Sequence, residues 1–460
     1  MLIEHQPNYD RLKDIFLHSP EELLFRHIRE PWHDDKADLR ELLIATTAML
    51  VAHDTQTDKG TKFSECMDAI RTLFVDLEQS GSVVIFEVPY PNPNQTTMAK
   101  APPEDVSSEV PDPNRMAMII APPEDVPAVE KVIRMFEGNN TNEPIEINNT
   151  IIHFHIDTFP ISPNPKALAT TIASFDPTTE LLYGNGTSDV KGHASLASML
   201  SRLCQMNEIK SPVFVITSDE EKGGNLGGLQ LLRSMKSRKM IIDWEPCDPG
   251  TYSDGILPSI PVGLLALSEL SYPMLQTLQH LLLNSFTKND CDPTVSVRDD
   301  QVLLNLSTHH LFYPGSPHTP EKLAHALLEI AYNAGIPFNE ENCTYWLSDP
   351  CSSTISSKKR KLISGALRKH FPCQPSKQTL SHRSSSKGGH FVWWDRQTTY
   401  TGDISTLAFC AHPNCYDVIA LGADESGSGR HTKNEAVNVN QLDSLLYTTF
   451  DIHKGLILNC

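Results

Sequence analysis

No Cys-x-x-Cys pair occurs among the ten cysteines. That absence excludes a thiolate zinc knuckle and argues against a disulfide framework, so reduced thiols in a cytoplasmic protein are the expectation. No run of about 18 apolar residues is present, so no stretch reads as a membrane span. The start, Met1-Leu-Ile-Glu-His5, lacks the basic lead and apolar core of a secretory signal. Positive charge is scarce as well: 38 Lys and Arg stand against 57 Asp and Glu, a formal net charge of −19. Such a balance disfavours nucleic acid and anionic membrane surfaces as partners and favours cationic ligands and metal ions.

What is present fits two domains, or one split by an insertion, across 460 residues. Helical spacing of apolar residues marks Asp38–Leu50, Phe63–Leu77 and Pro127–Phe136. Val83–Val88, Ile151–Thr158, Val213–Thr217 and Met240–Ile242 read as strands, the third so continuously apolar that a buried parallel sheet is implied. Strands alternating with helices predict an α/β catalytic domain, a mixed sheet flanked by helices. The texture changes between Gly255 and Asp349, where helix, strand and helix (Tyr272–Phe286, Val302–Ser307, Glu321–Ala334) predict an inserted smaller α+β lid domain. The expected division is therefore 1–254 and 350–460 for the two parts of the catalytic domain and 255–349 for the lid. In the second part a basic helix, Ser357–His370, precedes a serine-rich loop, a strand at Tyr416–Leu421 and a closing helix at Leu442–Phe450. Residues 89–127 break the rhythm. There Ala101-Pro-Pro-Glu-Asp-Val106 recurs as Ala121-Pro-Pro-Glu-Asp-Val126, and the proline and acid content predicts a disordered or loop insertion rather than a docking motif.

The chemistry gathers at the ends of the strand-like runs, where sites are built in open α/β sheets. Leu182-Tyr-Gly-Asn-Gly-Thr-Ser-Asp-Val-Lys-Gly-His193 is a glycine-bearing turn that delivers Asp189 to a helix start. His155 and Asp157, two apart on a strand, share a face, so one can bind a metal while the other holds the ring. His153 shares that face too, and a row of satisfied polar side chains is the competing account. Asp219, Glu220 and Glu221 repel one another unless solvated or neutralised by a cation. In a metal site one of two adjacent carboxylates coordinates while its neighbour moves a proton. Glu245 precedes Pro246, with Asp243 as its rival, and His431 lies in the small-residue loop Gly427–Glu435. Carboxylates and imidazoles without thiolate suit zinc, cobalt or manganese.

Taken as an ordered set, His155-Ile-Asp-Thr-Phe-Pro160, Tyr183–Gly192, Thr217-Ser-Asp-Glu-Glu221, Trp244-Glu-Pro246 and His431-Thr-Lys-Asn-Glu435 resemble a known family. It is the dinuclear zinc deacylase and exopeptidase family of acetylornithine deacetylase, succinyl-diaminopimelate desuccinylase, aminoacylase and carboxypeptidase G. The resemblance implies a zinc-peptidase α/β domain interrupted by a lid that mediates homodimerisation. It implies that Asp189 bridges two divalent ions, His155 and Glu245 completing one shell, Glu221 and His431 the other. Glu220 would be general base and acid, Asp157 would orient His155, and a cis peptide would follow Asp189. The Glu-Pro and His-Thr-x-x-Glu forms are most similar to the acetylornithine deacetylase branch, which would place the protein in arginine biosynthesis.

The implied activity is a zinc-dependent amidohydrolase cleaving a small N-acyl amino acid with metal-activated water. Desuccinylase or dipeptidase chemistry is the neighbouring alternative. The lid departs from the family: between Gly255 and Asp349 neither its Gly-x-x-x-His-Ser segment nor its Asp-x-Arg strand is recognisable, and His280 and His309 are the histidines at hand. Those departures motivate a reading of another class, a catalytically impaired relative that binds ligands or partners.

Overall fold

The computed structural model describes residues 36–56, 62–90, 115–138, 144–158, 173–222, 227–245, 355–371, 417–423 and 434–459, with short segments between 249 and 352. Expectations for Glu21–Ile28, for the first Ala-Pro-Pro copy, for the serine-rich loop, for most of Tyr272–Phe286 and Glu321–Ala334, for His309 and for His431 lie outside the described residues.

In the first part of the chain come α1 (Lys36–Val51), α2 (Phe63–Leu73), β1 (Val84–Pro89), β2 (Met116–Ala121), α3 (Val126–Glu137) and β3 (Ile151–His155). They are followed by β4 (Ser174–Asp176), β5 (Leu181–Tyr183), α4 (Leu196–Met206), β6 (Val213–Thr217), α5 (Gly228–Arg233), β7 (Ile241–Trp244) and β8 (Tyr252–Ser253). Four strands, β9 (Val262–Leu265), β10 (Cys291–Arg298), β11 (Gln301–Thr308) and β12 (Cys343–Tyr345), precede α6 (Ser357–His370). The chain closes with β13 (Val418–Leu421), β14 (Ala436–Asn438) and α7 (Val439–Asn459).

Among the described residues seven strands form one sheet in the order β1-β2-β6-β3-β7-β13-β8. Its middle, β6-β3-β7-β13, is parallel, and the outer pairings are antiparallel. Alternation along each strand sends side chains to opposite faces. Met118, Ile120, Phe214, Ile216 and Ile242 pack with α1, α2, α4 and α7 residues on one face. On the other, Ala117, Ile119, Val213, Val215 and Ile241 pack with Val129, Val132 and Phe136 of α3 and Leu231 and Leu232 of α5. Both faces are covered, which is why these strands read as unbroken apolar runs.

The 89–127 expectation fails for its second half. Met116–Ala121 is a buried strand between β1 and β6, and the second Ala-Pro-Pro copy is the passage from that strand into α3. Its prolines do not disrupt. Pro123 opens a short 3-10 turn and Pro127 sits in the first turn of α3, where a missing N–H leaves no broken bond. Asp125 is buried, accepting from Asn149 Nδ2 and paired with Lys210 Nζ, each at 2.7 Å. Residues 91–114 lie outside the described residues.

The closing helix also runs longer than its spacing implied, because Ile452 and Leu456 continue the buried stripe past Asp451. Gly455 lets α6 approach: a Cβ there would run into the Leu362 side chain. Between residues 255 and 352, β10-β11-β9-β12 make a separate antiparallel sheet. Gly255 pairs with Ser352 in antiparallel register, so the chain enters and leaves this stretch side by side.

Helix α7 carries a titratable residue into the core. His453 is buried and its Nε2 donates to Lys210 O at 2.6 Å. Burial, opposed by that carbonyl and aided by the Lys210 charge, pushes its pKa from 6.5 down to about 4. Between those values the unfolded chain binds the extra proton, so the contribution is full above pH 6.5 and is lost as pH falls toward about 4. The thermal midpoint should drop across that window, and His453→Gln, which keeps a donor for the carbonyl, should flatten the drop. Calorimetry over the same pH range checks it.

Candidate metal centre and active site

Of the predicted residues, His155, Asp189 and Glu245 meet at the carboxyl edge of the parallel strands, with Asp157 and Glu220 beside them. His155 ends β3, Ser218–Glu221 follow β6, and Glu245 follows β7. The Asp189 turn is brought there by β5, which pairs with β4 and β14 in a small antiparallel sheet. Gly186 adopts φ +79°, and a Cβ on it would lie 2.6 Å from Thr158 Cγ2, so only glycine fits this turn. The Asp189–Val190 peptide is cis, as the resemblance implied.

His155 Nδ1 donates to the Asp157 main-chain carbonyl at 2.9 Å. That contact turns Nε2 toward Asp189 Oδ1 at 3.1 Å and Glu220 Oε2 at 4.0 Å. One donor atom each from His155, Asp189 and Glu245 lies within 4.8 Å of the others, and all three residues are buried. Burial alone would depress the His155 pKa; contacts with Asp157 and Asp189 outweigh it and hold the ring well above its usual range. Glu220 is pushed well above the carboxylate range by burial, with His155 opposing and Glu221, Asp157 and Asp189 adding to the rise. Packing of this kind, carboxylates crowded about a buried imidazole, is what a divalent cation would relieve, so the donor set fits a metal ion.

Asp157 does more than hold the ring. Its carboxylate accepts the Glu220 N–H at 3.1 Å and the Glu221 N–H at 3.0 Å, so one side chain sets both the β3 exit and the β6 exit. Its Oδ1 is also 3.4 Å from His155 Nδ1. Glu221 is thereby placed beside the cluster, although among the described residues its carboxylate joins no group of three donors. His431 lies outside the described residues.

The competing account holds for His153. Its Nδ1 donates to Asp243 Oδ1 at 2.7 Å and its Nε2 bonds Thr217 Oγ1 at 3.0 Å, joining three neighbouring strands on one face. Asp243, the rival of Glu245, is thus engaged by His153. Glu245 is within reach of both histidine groups. Between residues 255 and 352, His280 is exposed.

Other groups near the site have partners that the sequence did not indicate. Asp219 accepts from Gly227 and Gly228 N–H at 3.1 and 3.2 Å and from the Tyr90 hydroxyl at 2.9 Å, fixing the turn from its outer side. Arg115 donates to Ser218 O at 2.7 Å with its guanidinium over the Phe63 ring. Lys191 is buried, which lowers its pKa, and it donates to His53 O at 2.8 Å, tying the Asp189 turn to the end of α1. Glu435 accepts main-chain N–H groups of the same turn. Only the placement of Asp219 beside Glu220 and of Glu435 in the last motif hinted at any of these.

No family profile matches the sequence, and no curated protein matches it. Solved structures do: the chain has the fold of M20 metallopeptidases. An M20 family metallo-carboxypeptidase, Sso-CP2 from Sulfolobus solfataricus, aligns at TM-score 0.54 and 12% identity, over 90% of this chain and 99% of its own. The dipeptidase Dug1p of Saccharomyces cerevisiae gives 0.56 and 11%, over 95% and 98%. Human carnosine dipeptidase 1 gives 0.52 and 12%, over 94% and 99%. At such identities the likeness is one of fold.

Asp157→Ala removes the acceptor for two N–H groups and should lower stability by roughly 1–3 kcal/mol. Asp157→Asn, which keeps one acceptor oxygen but turns an NH₂ toward the other N–H, should also be destabilised. Urea unfolding of the metal-free variants checks both.

Proposed function

We propose that the protein is a metal-dependent amidohydrolase acting on a linear C–N bond of a small N-acyl amino acid, as in acetylornithine deacetylase. The observation that carries this is the meeting of His155, Asp189 and Glu245 within 4.8 Å, with Glu220 at 4.0 Å from His155 Nε2. His155, Asp189 and Glu245 would hold one divalent ion; Asp189, Glu221 and His431 are the set proposed for a second, with zinc favoured over cobalt or manganese. When bound, such ions polarise the scissile carbonyl and acidify water. The chain's own residues do the rest. Glu220 takes the proton of the attacking water and returns it to the departing amine. Asp157 holds His155 and the Glu220–Glu221 turn in register.

The proposal includes a cytoplasmic homodimer formed through the 255–349 lid, without nucleic acid or membrane partners. Among the described residues no helix is long and apolar enough to cross a membrane. A second reading, dipeptide hydrolysis, draws support from the fold neighbours, two of which are named dipeptidases. It uses the same residues with a different acyl group.

Purified protein assayed on N-acetylornithine, N-succinyl-diaminopimelate and dipeptides, with metal content by plasma mass spectrometry, tests these readings together. Glu220→Ala should lower kcat by roughly 10²–10⁴ while metal content is kept. Near-normal turnover in that variant would remove Glu220 from the mechanism. Metal retention without turnover on any amide would favour the impaired, ligand-binding relative.

A further inference from the structure

We propose that Glu435 is a positioning residue for Asp189, holding the metal-binding turn through its main chain. The inference rests on the reading of Asp189 as a metal ligand.

Glu435 is only 3% exposed and stands immediately before β14. The register of β14 on β5 sets Ala436 opposite Tyr183, so Glu435 faces the turn that follows β5. Gly184 N–H donates to the Glu435 carbonyl at 3.0 Å, extending that pairing by one bond. The side chain then accepts three more. Oε2 takes the Gly186 N–H, and Oε1 takes the N–H groups of Ser188 and Asp189, each at 3.0 Å. A concave row of main-chain donors wrapped around one anion is an anion nest, here filled from the other end of the chain. The last of those donors belongs to Asp189 itself, whose Oδ1 faces His155 Nε2 at 3.1 Å. Fixing that N–H fixes where the carboxylate can point.

A second contact acts on the same segment. Ala423 N–H, just beyond β13, donates to His193 Nε2 at 3.1 Å, and His193 is fully buried four residues after Asp189. Both described flanks of residues 424–433, the stretch that contains His431, are therefore bonded to the 184–193 segment. Glu435 would accordingly register the C-terminal motif with the Asp189 turn, which explains a buried carboxylate placed next to another one. An amide cannot substitute: glutamine keeps one acceptor and turns an NH₂ donor toward main-chain donors.

The test uses the full chain as wild type, Glu435→Gln and Glu435→Asp. Two readouts are taken: hydrogen exchange of the metal-free protein and cobalt(II) affinity by titration. In Glu435→Gln, exchange should accelerate in peptides covering 184–194 while β3 and β6 keep their protection, and cobalt affinity should fall by roughly 10–100-fold, the usual range for a group supporting a ligand. Glu435→Asp, which retains the anion, should recover most of both, and it supplies the same readouts where the Gln variant does not fold. Unchanged protection at 184–194 overturns the proposal, as does faster exchange spread evenly over the whole chain. Wild-type protein that binds no cobalt would instead sink the metal reading of Asp189, and the exchange result alone would then decide whether Glu435 sets the turn.

Discussion

Several carboxylates share a small buried volume at one edge of the central sheet, and their mutual repulsion is the constraint on which the site depends. A buried negative charge is tolerable only where positive charge or directed donors face it. The protein meets this in two ways. Asp157, Asp219 and Glu435 are each served by main-chain N–H groups: two from the Glu220–Glu221 turn, two from the start of α5, three from the Asp189 turn. Asp189 and Glu245 are instead gathered around His155. The first group are acids that shape loops, and the second are acids arranged as donors. Partner type, more than position in sequence, separates the two.

The sheet supplies the platform. Four parallel strands end on the same edge, so the residues after β3, β6 and β7 emerge side by side although they are far apart along the chain. Helices cover both faces, leaving that edge as the place where polar side chains accumulate. Beneath it the His153–Asp243–Thr217 bonds lie within the sheet itself and satisfy polar groups that the strands would otherwise bury unpaired. The lower polar layer is thus bonded between strands, and the upper one, two residues further along β3, gathers His155, Asp189 and Glu245.

Much of this was legible from local pattern. Val213–Thr217 and Ser357–His370 have the bounds that their spacing implied, since periodicity of two or 3.6 is a property of neighbouring residues. Proline content misled at 115–127, because proline is harmless at a strand exit and a first helical turn, and composition alone does not say which position it occupies. His155, Asp157, Asp189, Glu220 and Glu245 stood out because their residue types and strand-end positions suit a metal. Arg115, Tyr90 and Lys191 did not, since each acts through a partner more than 100 residues away.

By itself, then, the sequence determined the α/β class, the strand ends that carry acids and imidazoles, and the glycine turn before Asp189. Those follow from short-range sterics and from the alternation of side chains along a strand. Only the tertiary structure decided which acids stand together, that His153 belongs to the sheet, and that Glu435 serves the Asp189 turn. Such choices depend on strand order and register, which hydrogen bonds between remote segments establish and no local pattern encodes.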